Sequence, residues 1–339
     1  MAVTNTNMTT KVSTDQFDLM TAKIDAKATQ VYQSKAVLVG SPAILRKPLN
    51  PGDKSFTLHW EIQADNTMNY KARGADRTLA TTTKGSKTIS HEDPLYCTEG
   101  LAWQDKDILP TWDVVGPAVD RQVTKYIEQL EYRLTQLLTQ AAQATSSFGG
   151  SGVHSGGIYT QKTAASVAAR YPFTAAGADQ LLDDMAEIEY LRMNRKENQG
   201  TNRLWLFSPY LRQVLTRSNR WMSRDWNAQA NLPMSYFGNS IEGAAYAVSR
   251  YMPSTAITSD AISKYNVDAA VGGAGQGIPA VLLICYGEDI SPVCIAEHGS
   301  FKAETWWNQD EDVWKTGGKA IYGADQAHVW NAGGVFIHS

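Results

Sequence analysis

The segment most like a phosphate cradle is Gly272–Gly277, which reads Gly-Gly-Ala-Gly-Gln-Gly. A nucleotide cradle needs G-x-G-x-x-G between a strand and a helix, so that free backbone N–H groups meet the anion. Here the spacing is wrong, and Ile278 and Pro279 lead into an apolar strand instead of a helix. His154 and Ser155 form a second candidate, a base beside a nucleophile in the glycine-rich stretch 146–157. The strained G-x-S-x-G elbow is missing around both Ser151 and Ser155, and a flexible loop holds no catalytic geometry by itself. The six histidines, at 59, 91, 154, 298, 328 and 338, do not fall at zinc-ligand spacing with cysteine. Asp183 and Asp184 suit the start of a helix, and Asp310–Asp312 suits a solvated turn and does not resemble a calcium loop. The residues therefore offer no catalytic, metal-binding or cofactor-binding constellation, and no cofactor is expected.

Composition points away from chemistry and toward surface covered by partners. Charged residues are 19% of the 339, below the usual quarter, while Trp numbers 10 and Tyr 15. Aromatics bury large areas and are enriched where subunits meet, although a Trp-rich core gives the same count. The net charge of −3 argues against a dedicated nucleic-acid binder. Three dispersed cysteines, Cys97, Cys285 and Cys294, are no disulfide framework, and Cys285 in the apolar run 280–286 reads as a buried thiol. No apolar signal-peptide core and no stretch of ~20 apolar residues occur, so the protein is expected to be made, and to act, in the cytoplasm.

The elements that would position any function read as α+β. Residues 1 to about 35 are polar, with weak helical spacing at Phe17, Met20 and Ile24, and read as an arm. In 55–63, Phe56, Leu58, Trp60 and Ile62 alternate with polar residues, as in a strand with one buried face. Residues 64–93 carry almost no large apolar side chains, and a β-hairpin projecting onto another subunit accounts for them better than a long loop does. Val119, Val123, Ile127, Leu130, Leu134, Leu138 and Ala141 set one apolar stripe, with Glu131 and Arg133 among the polar flanks. The spacing predicts one amphipathic helix of about 27 residues from Pro117 to Gln143, roughly 40 Å long. A second helix follows over 177–191, with acidic residues near its start. Then come a buried strand at Arg203–Phe207, a helix capped by Ser208 and Pro209 with Leu211, Val214 and Leu215 inward, a central strand at 280–286, and closing strands toward Ile337.

This order resembles the Hong Kong 97 fold of tailed-phage major capsid proteins. Val119–Leu130 looks like the family's spine helix. Leu182–Leu191 followed by Arg203–Leu215 looks like its axial-domain core. Gly243–Pro253 is similar to its later strand ending in proline, and Ile321–Gln326 with Val335–Ile337 to its C-terminal return. The resemblance covers about residues 36–338. It implies an N-terminal arm (1–48), an extended hairpin or E-loop (49–100), a peripheral domain with the spine helix (101–176, completed by 301–339) and an axial domain (177–300).

What the resemblance implies about function is a coat subunit that assembles as pentamers and hexamers into an icosahedral phage head around double-stranded DNA, which it contacts non-specifically. The expected location is the virion capsid, assembled in the host bacterial cytoplasm, and the protein is expected not to be an enzyme. A separate scaffolding protein, a portal and possible decoration proteins are the implied partners. Candidate subunit contacts are Lys71, Arg73, Arg77, Leu79, Lys84, Lys87 and Ile89 in the hairpin, with Leu79 and Ile89 packing on the next subunit's strut helix. Arg220 and Arg224 in the loop 219–233 are candidates at the capsomer centre. Lysine–asparagine crosslinking through Lys71, Lys84 or Lys87 has no assignable acceptor. Deleting residues 64–90 is expected to leave a folded chain unable to close shells. The alternatives are an encapsulin-type compartment shell and, in a different class, a hydrolase using the loop 150–157.

Overall fold

The computed structural model describes residues 37–62, 83–92, 94–102, 111–144, 156–195, 200–218, 240–241, 244–267, 277–298, 301–308 and 313–338. Its centre is a six-stranded sheet in the order β5-β14-β9-β6-β8-β7. These strands are β5 (Ile158–Thr163), β14 (Ala332–His338), β9 (Ile278–Tyr286), β6 (Asn202–Phe207), β8 (Ala244–Val248) and β7 (Ser240–Ile241). The sheet is mixed: β14 runs parallel to β5 and antiparallel to β9, and β6 runs antiparallel to β9 and parallel to β8.

Both faces of this sheet are covered, which is why β6 and β9 read as continuous apolar runs. Leu204, Leu206, Leu282, Ile284 and Phe336 point to a large core built around helix α1 (Thr111–Gln143). Trp205, Phe207, Val281, Leu283, Cys285, Val335 and Ile337 point to a second core beneath α3 (Ala175–Met193) and α4 (Pro209–Leu215). A four-residue turn of helix, α2 (Val167–Arg170), precedes α3. The alternation along each strand thus divides the chain into three layers, helix–sheet–helices.

Three smaller sheets complete the fold, two packed on α1 and the third on β10 and β13. In the first, β10 (Val293–Glu297) lies between β1 (Leu45–Pro48) and β13 (Tyr322–Gln326). In the second, β12 (Val313–Ala320) lies between β11 (Lys302–Asn308) and β4 (Leu95–Ala102). The third is a two-stranded antiparallel ribbon of β2 (Ser55–Ile62) and β3 (Thr83–Ser90), registered from Ser55 opposite Ser90 to Ile62 opposite Thr83. Isolated two-stranded ribbons are marginal in water, so this one depends on what its inner face packs against.

Several sequence expectations are corrected. The long helix starts at Thr111, not at Pro117, and at 33 residues it is roughly 50 Å long. Pro117 sits in its second turn, where the missing N–H costs one intrahelical bond that the longer helix absorbs. Helix α3 has no acidic residue in its first turn; Thr174 caps it, its Oγ1 accepting from Gly177 N–H at 3.2 Å. Residues 37–48, expected in the arm, are tied to the body: Leu38, Val39, Ala43 and Ile44 are buried, and the partly exposed β1 pairs with β10.

Candidate functional site

The apolar stripe of α1 is as the spacing predicts, with Val119, Val123, Ile127, Leu130, Leu134, Leu138 and Ala141 all buried. The polar flanks are not as predicted. From Leu130 to Thr139 every residue but Tyr132 is buried, including Glu131, Arg133, Thr135, Gln136 and Thr139. This half of the helix is enclosed on all sides by its own chain. Among the described residues of α1, the exposed positions, Pro117, Arg121 and Lys125, all lie on its other half.

Burying a charge is costly unless it is paired and hydrogen-bonded. Glu131, 0% exposed, meets that requirement only in part: one carboxylate oxygen is held by the backbone of residues 37–39, while the other, Oε2, is buried with no hydrogen-bond partner. The N–H groups of Val37, Leu38 and Val39 donate to its Oε1 at 2.7, 2.7 and 3.0 Å. Burial pushes the Glu131 carboxyl above its ordinary range, against the opposing pull of these three donors. A carboxylate gathering successive N–H groups fixes that stretch of backbone in one conformation.

Arg133 does the same for the ribbon. Just past the end of β3, Glu92 turns inward, and its Oε2 accepts from Arg133 Nη1 at 2.7 Å. Glu92 Oε1 lies 2.7 Å from Lys264 Nζ and accepts from the Tyr265 hydroxyl. Arg133 Nη1 also donates to the Tyr322 hydroxyl at 2.9 Å, and its guanidinium lies 4.7 Å from the centre of the Tyr265 ring. Burial raises both phenols, that of Tyr322 to about 12, so both stay protonated at neutral pH, Tyr265 donating to Glu92 and Tyr322 accepting from Arg133. The ribbon's end is seated further by Glu92 N–H donating to Tyr322 O at 2.9 Å. Gly323 permits this close approach, because a Cβ there would fall 1.9 Å from Ser90 O.

The inner face of the ribbon is Gly85, Lys87 and Ile89, registered opposite Trp60, Leu58 and Phe56. Ile89 is 0% exposed, in the large core of its own chain. Its assignment to a neighbour's helix is thus corrected, since the strand alternation that buries Trp60 and Leu58 carries Ile89 inward with them. Lys87 is likewise committed within the chain, its Nζ 2.9 Å from Asp325 Oδ1 on β13. Lys84 stands opposite Glu61 in the ladder. Lys71, Arg73, Arg77 and Leu79, and likewise Arg220 and Arg224, lie outside the described residues, as do most of the glycine segments 146–157 and 272–277.

The residues that sequence reasoning missed are Glu92, Glu131, Arg133, Lys264, Tyr265 and Tyr322. One signal was present: Leu137 and Ala142 fall beside the stripe and widen the apolar arc of α1 toward its C-terminal end, and a wide arc marks deep burial. Nothing local marks the pairing of Glu92 with Arg133 and Lys264, which lie 41 or more residues away from it. Among the described residues, no three His, Cys, Asp or Glu side chains come together as a metal site, and no helix is long and apolar enough to cross a membrane.

No protein-family model and no curated protein matches this sequence. Solved structures do match. A chain of the capsid structure of cyanophage P-SCSP1u superposes with a TM-score of 0.66 at 14% identity, covering 90% of this chain and 89% of that one. A chain from the mature capsid of bacteriophage PhiM1 gives 0.65 at 13% identity, over 87% and 86% of the two chains. One from the capsid of Ralstonia phage GP4 gives 0.57 at 10% identity, over 90% and 89%. At such identities the likeness establishes the fold, and it does so over nearly the whole length of each chain.

Proposed function

We propose that this chain, which has the α+β fold of phage capsid proteins, is the major coat subunit of a tailed-phage head. The observation that carries the reading is the extent of the likeness, about nine-tenths of both this chain and the first capsid chain. The layout supports it. The backbone of Val37–Val39 and the end of β3 are each tied to α1 by buried polar contacts, as suits the roots of elements that would reach other copies.

On this reading the arm comprises residues 1–36, ending where Glu131 grips the backbone, instead of running to residue 48. The extended hairpin is the β2–β3 ribbon with the segment 63–82 beyond it. The peripheral domain is α1 with the smaller sheets, and the axial domain is α3, α4 and the strands around them. Lys71, Arg73, Arg77 and Leu79 are proposed to touch a neighbouring copy, and Arg220 and Arg224 the capsomer centre. Pentamers and hexamers would tile an icosahedral shell in the virion, put together in the host cytoplasm around non-specifically held double-stranded DNA. A separate scaffolding protein and a portal would act in assembly. The role needs no catalysis, because weak contacts multiplied by closed symmetry suffice.

The test is expression of the full chain, with and without the neighbouring genes, followed by negative-stain microscopy and sedimentation. Closed shells or capsomer-sized rings are expected. A chain that stays a single subunit at every concentration and in every gene context would overturn the proposal, and enclosed cargo enzymes in place of DNA would move it to a storage compartment.

A further inference from the structure

We infer that Glu131 and Arg133 make α1 a latch that couples the root of the arm to the root of the hairpin, so that the two are held or released together. Residues two apart on an α-helix project about 200° from each other around its axis. Glu131 therefore reaches the Val37–Val39 backbone from one side of α1, and Arg133 reaches Glu92 and Tyr322 from nearly the opposite side. Both side chains are buried, Glu131 fully and Arg133 nearly so, and little water can replace their partners when these move. A rotation of the helix by about 20° would carry groups ~6 Å from its axis by roughly 2 Å. That displacement exceeds what hydrogen bonds of 2.7 Å tolerate, and it acts on both sides at once.

Other contacts keep the helix from moving smoothly between intermediate positions. Thr135 Oγ1 donates to Tyr251 O at 2.7 Å, and Gln326 Nε2 donates to Gln140 Oε1 at 2.7 Å. A packed helix with polar contacts on several sides has discrete positions, because close-packed interiors do not deform continuously. Two sites that bias one such element are coupled, and the coupling is reciprocal: loosening the arm loosens the hairpin, and the reverse. The latch is a property of the single chain and stands or falls separately from the shell assignment. If that assignment holds, a contact made by one copy's arm presets the hairpin that the same copy offers its neighbour.

Hydrogen exchange followed by mass spectrometry on the full chain tests this, with wild type and variants compared in the same state of assembly. Glu131→Gln keeps an acceptor but removes the charge. It is expected to speed exchange at Val37–Val39 at least tenfold and, across the helix, at Lys87–Glu92 at least threefold. Tyr265→Phe removes one hydroxyl from Glu92 and is expected to speed exchange at Lys87–Glu92 and also at Val37–Val39. Strands β9 and β14 report whether the fold is intact. If Glu131→Gln loosens those strands as well, Tyr265→Phe alone decides. The proposal is overturned if each intact variant speeds exchange only at its own root.

Discussion

The indole of Trp60 lies across Gly85, its register partner in the ribbon, so that a Cβ at residue 85 would fall 2.3 Å from Trp60 Nε1. On its other side Trp60 meets His328 and Trp330 edge-on, with ring centres 5.5 and 6.1 Å away. One of the ties that hold the ribbon to the body is thus a large ring seated over a position with no side chain. Gly85→Ala is expected to displace that ring and destabilise the chain by about 1–3 kcal/mol, the usual cost of overpacking. Urea denaturation measures it. An unchanged midpoint would mean that Trp60 does not anchor the ribbon.

Removing one partner of a buried ion pair strands the other charge, whereas removing both does not. Arg133→Met is therefore expected to cost about 3 kcal/mol or slightly less, because Glu92 keeps Lys264 and the Tyr265 hydroxyl. The double variant Arg133→Met with Glu92→Leu is expected to cost less than the sum of the two single changes. A double-mutant cycle by denaturation checks this, and strictly additive costs would argue against the direct pairing.

Cys285 and Cys294 are buried, and burial raises both thiols from 9.0 to about 12. At pH 8 neither forms the reactive thiolate in the folded chain, so a thiol reagent followed by peptide mapping should leave both unlabelled until denaturant is added. The linkage has a definite sign. Between about pH 9 and 12 the unfolded chain loses these protons while the folded chain keeps them, so their contribution to stability is fully present below pH 9 and is lost as pH rises. The slope approaches about 1.4 kcal/mol per pH unit for each thiol. Replacing both with Ala should flatten the alkaline limb of a stability-against-pH curve.

The buried strands and helices were legible because their periodicity is local. Leu204 to Phe207 and Ser208 with Pro209 announce a strand and a capped helix within a few residues, and the structure has both. Strands β4, β11 and β12 were not legible. Their sequences mix Lys, Thr, Gly and Glu with aromatics, and their pairing joins 95–102 to 313–320, a separation that no local pattern encodes. The site was hidden for a related reason. Glu131 and Arg133 look like solvent-facing residues until the segments around Val37 and Glu92, distant in the chain, close over them.

The last prediction concerns the hairpin itself, and the structure alters how it must be made. Deleting residues 64–90 would remove β3, and with it Gly85, the Lys87–Asp325 pair and the buried Ile89, so the chain would lose core and a failure to assemble would mean nothing. Ile62 and Thr83, however, are the last registered pair of the ribbon. Replacing residues 63–82 with Asn-Gly joins that pair through a two-residue turn of the type that matches strand twist, and leaves every described contact in place. This chain is expected to unfold within about 1 kcal/mol of wild type, since the entropy of closing a connection changes only slowly with its length. Under the shell assignment it is expected to form no closed particles by microscopy and sedimentation, because the segment that reaches the next copy is gone. Normal closed shells from this variant would remove the hairpin from the assembly contacts and, with it, Lys71, Arg73, Arg77 and Leu79.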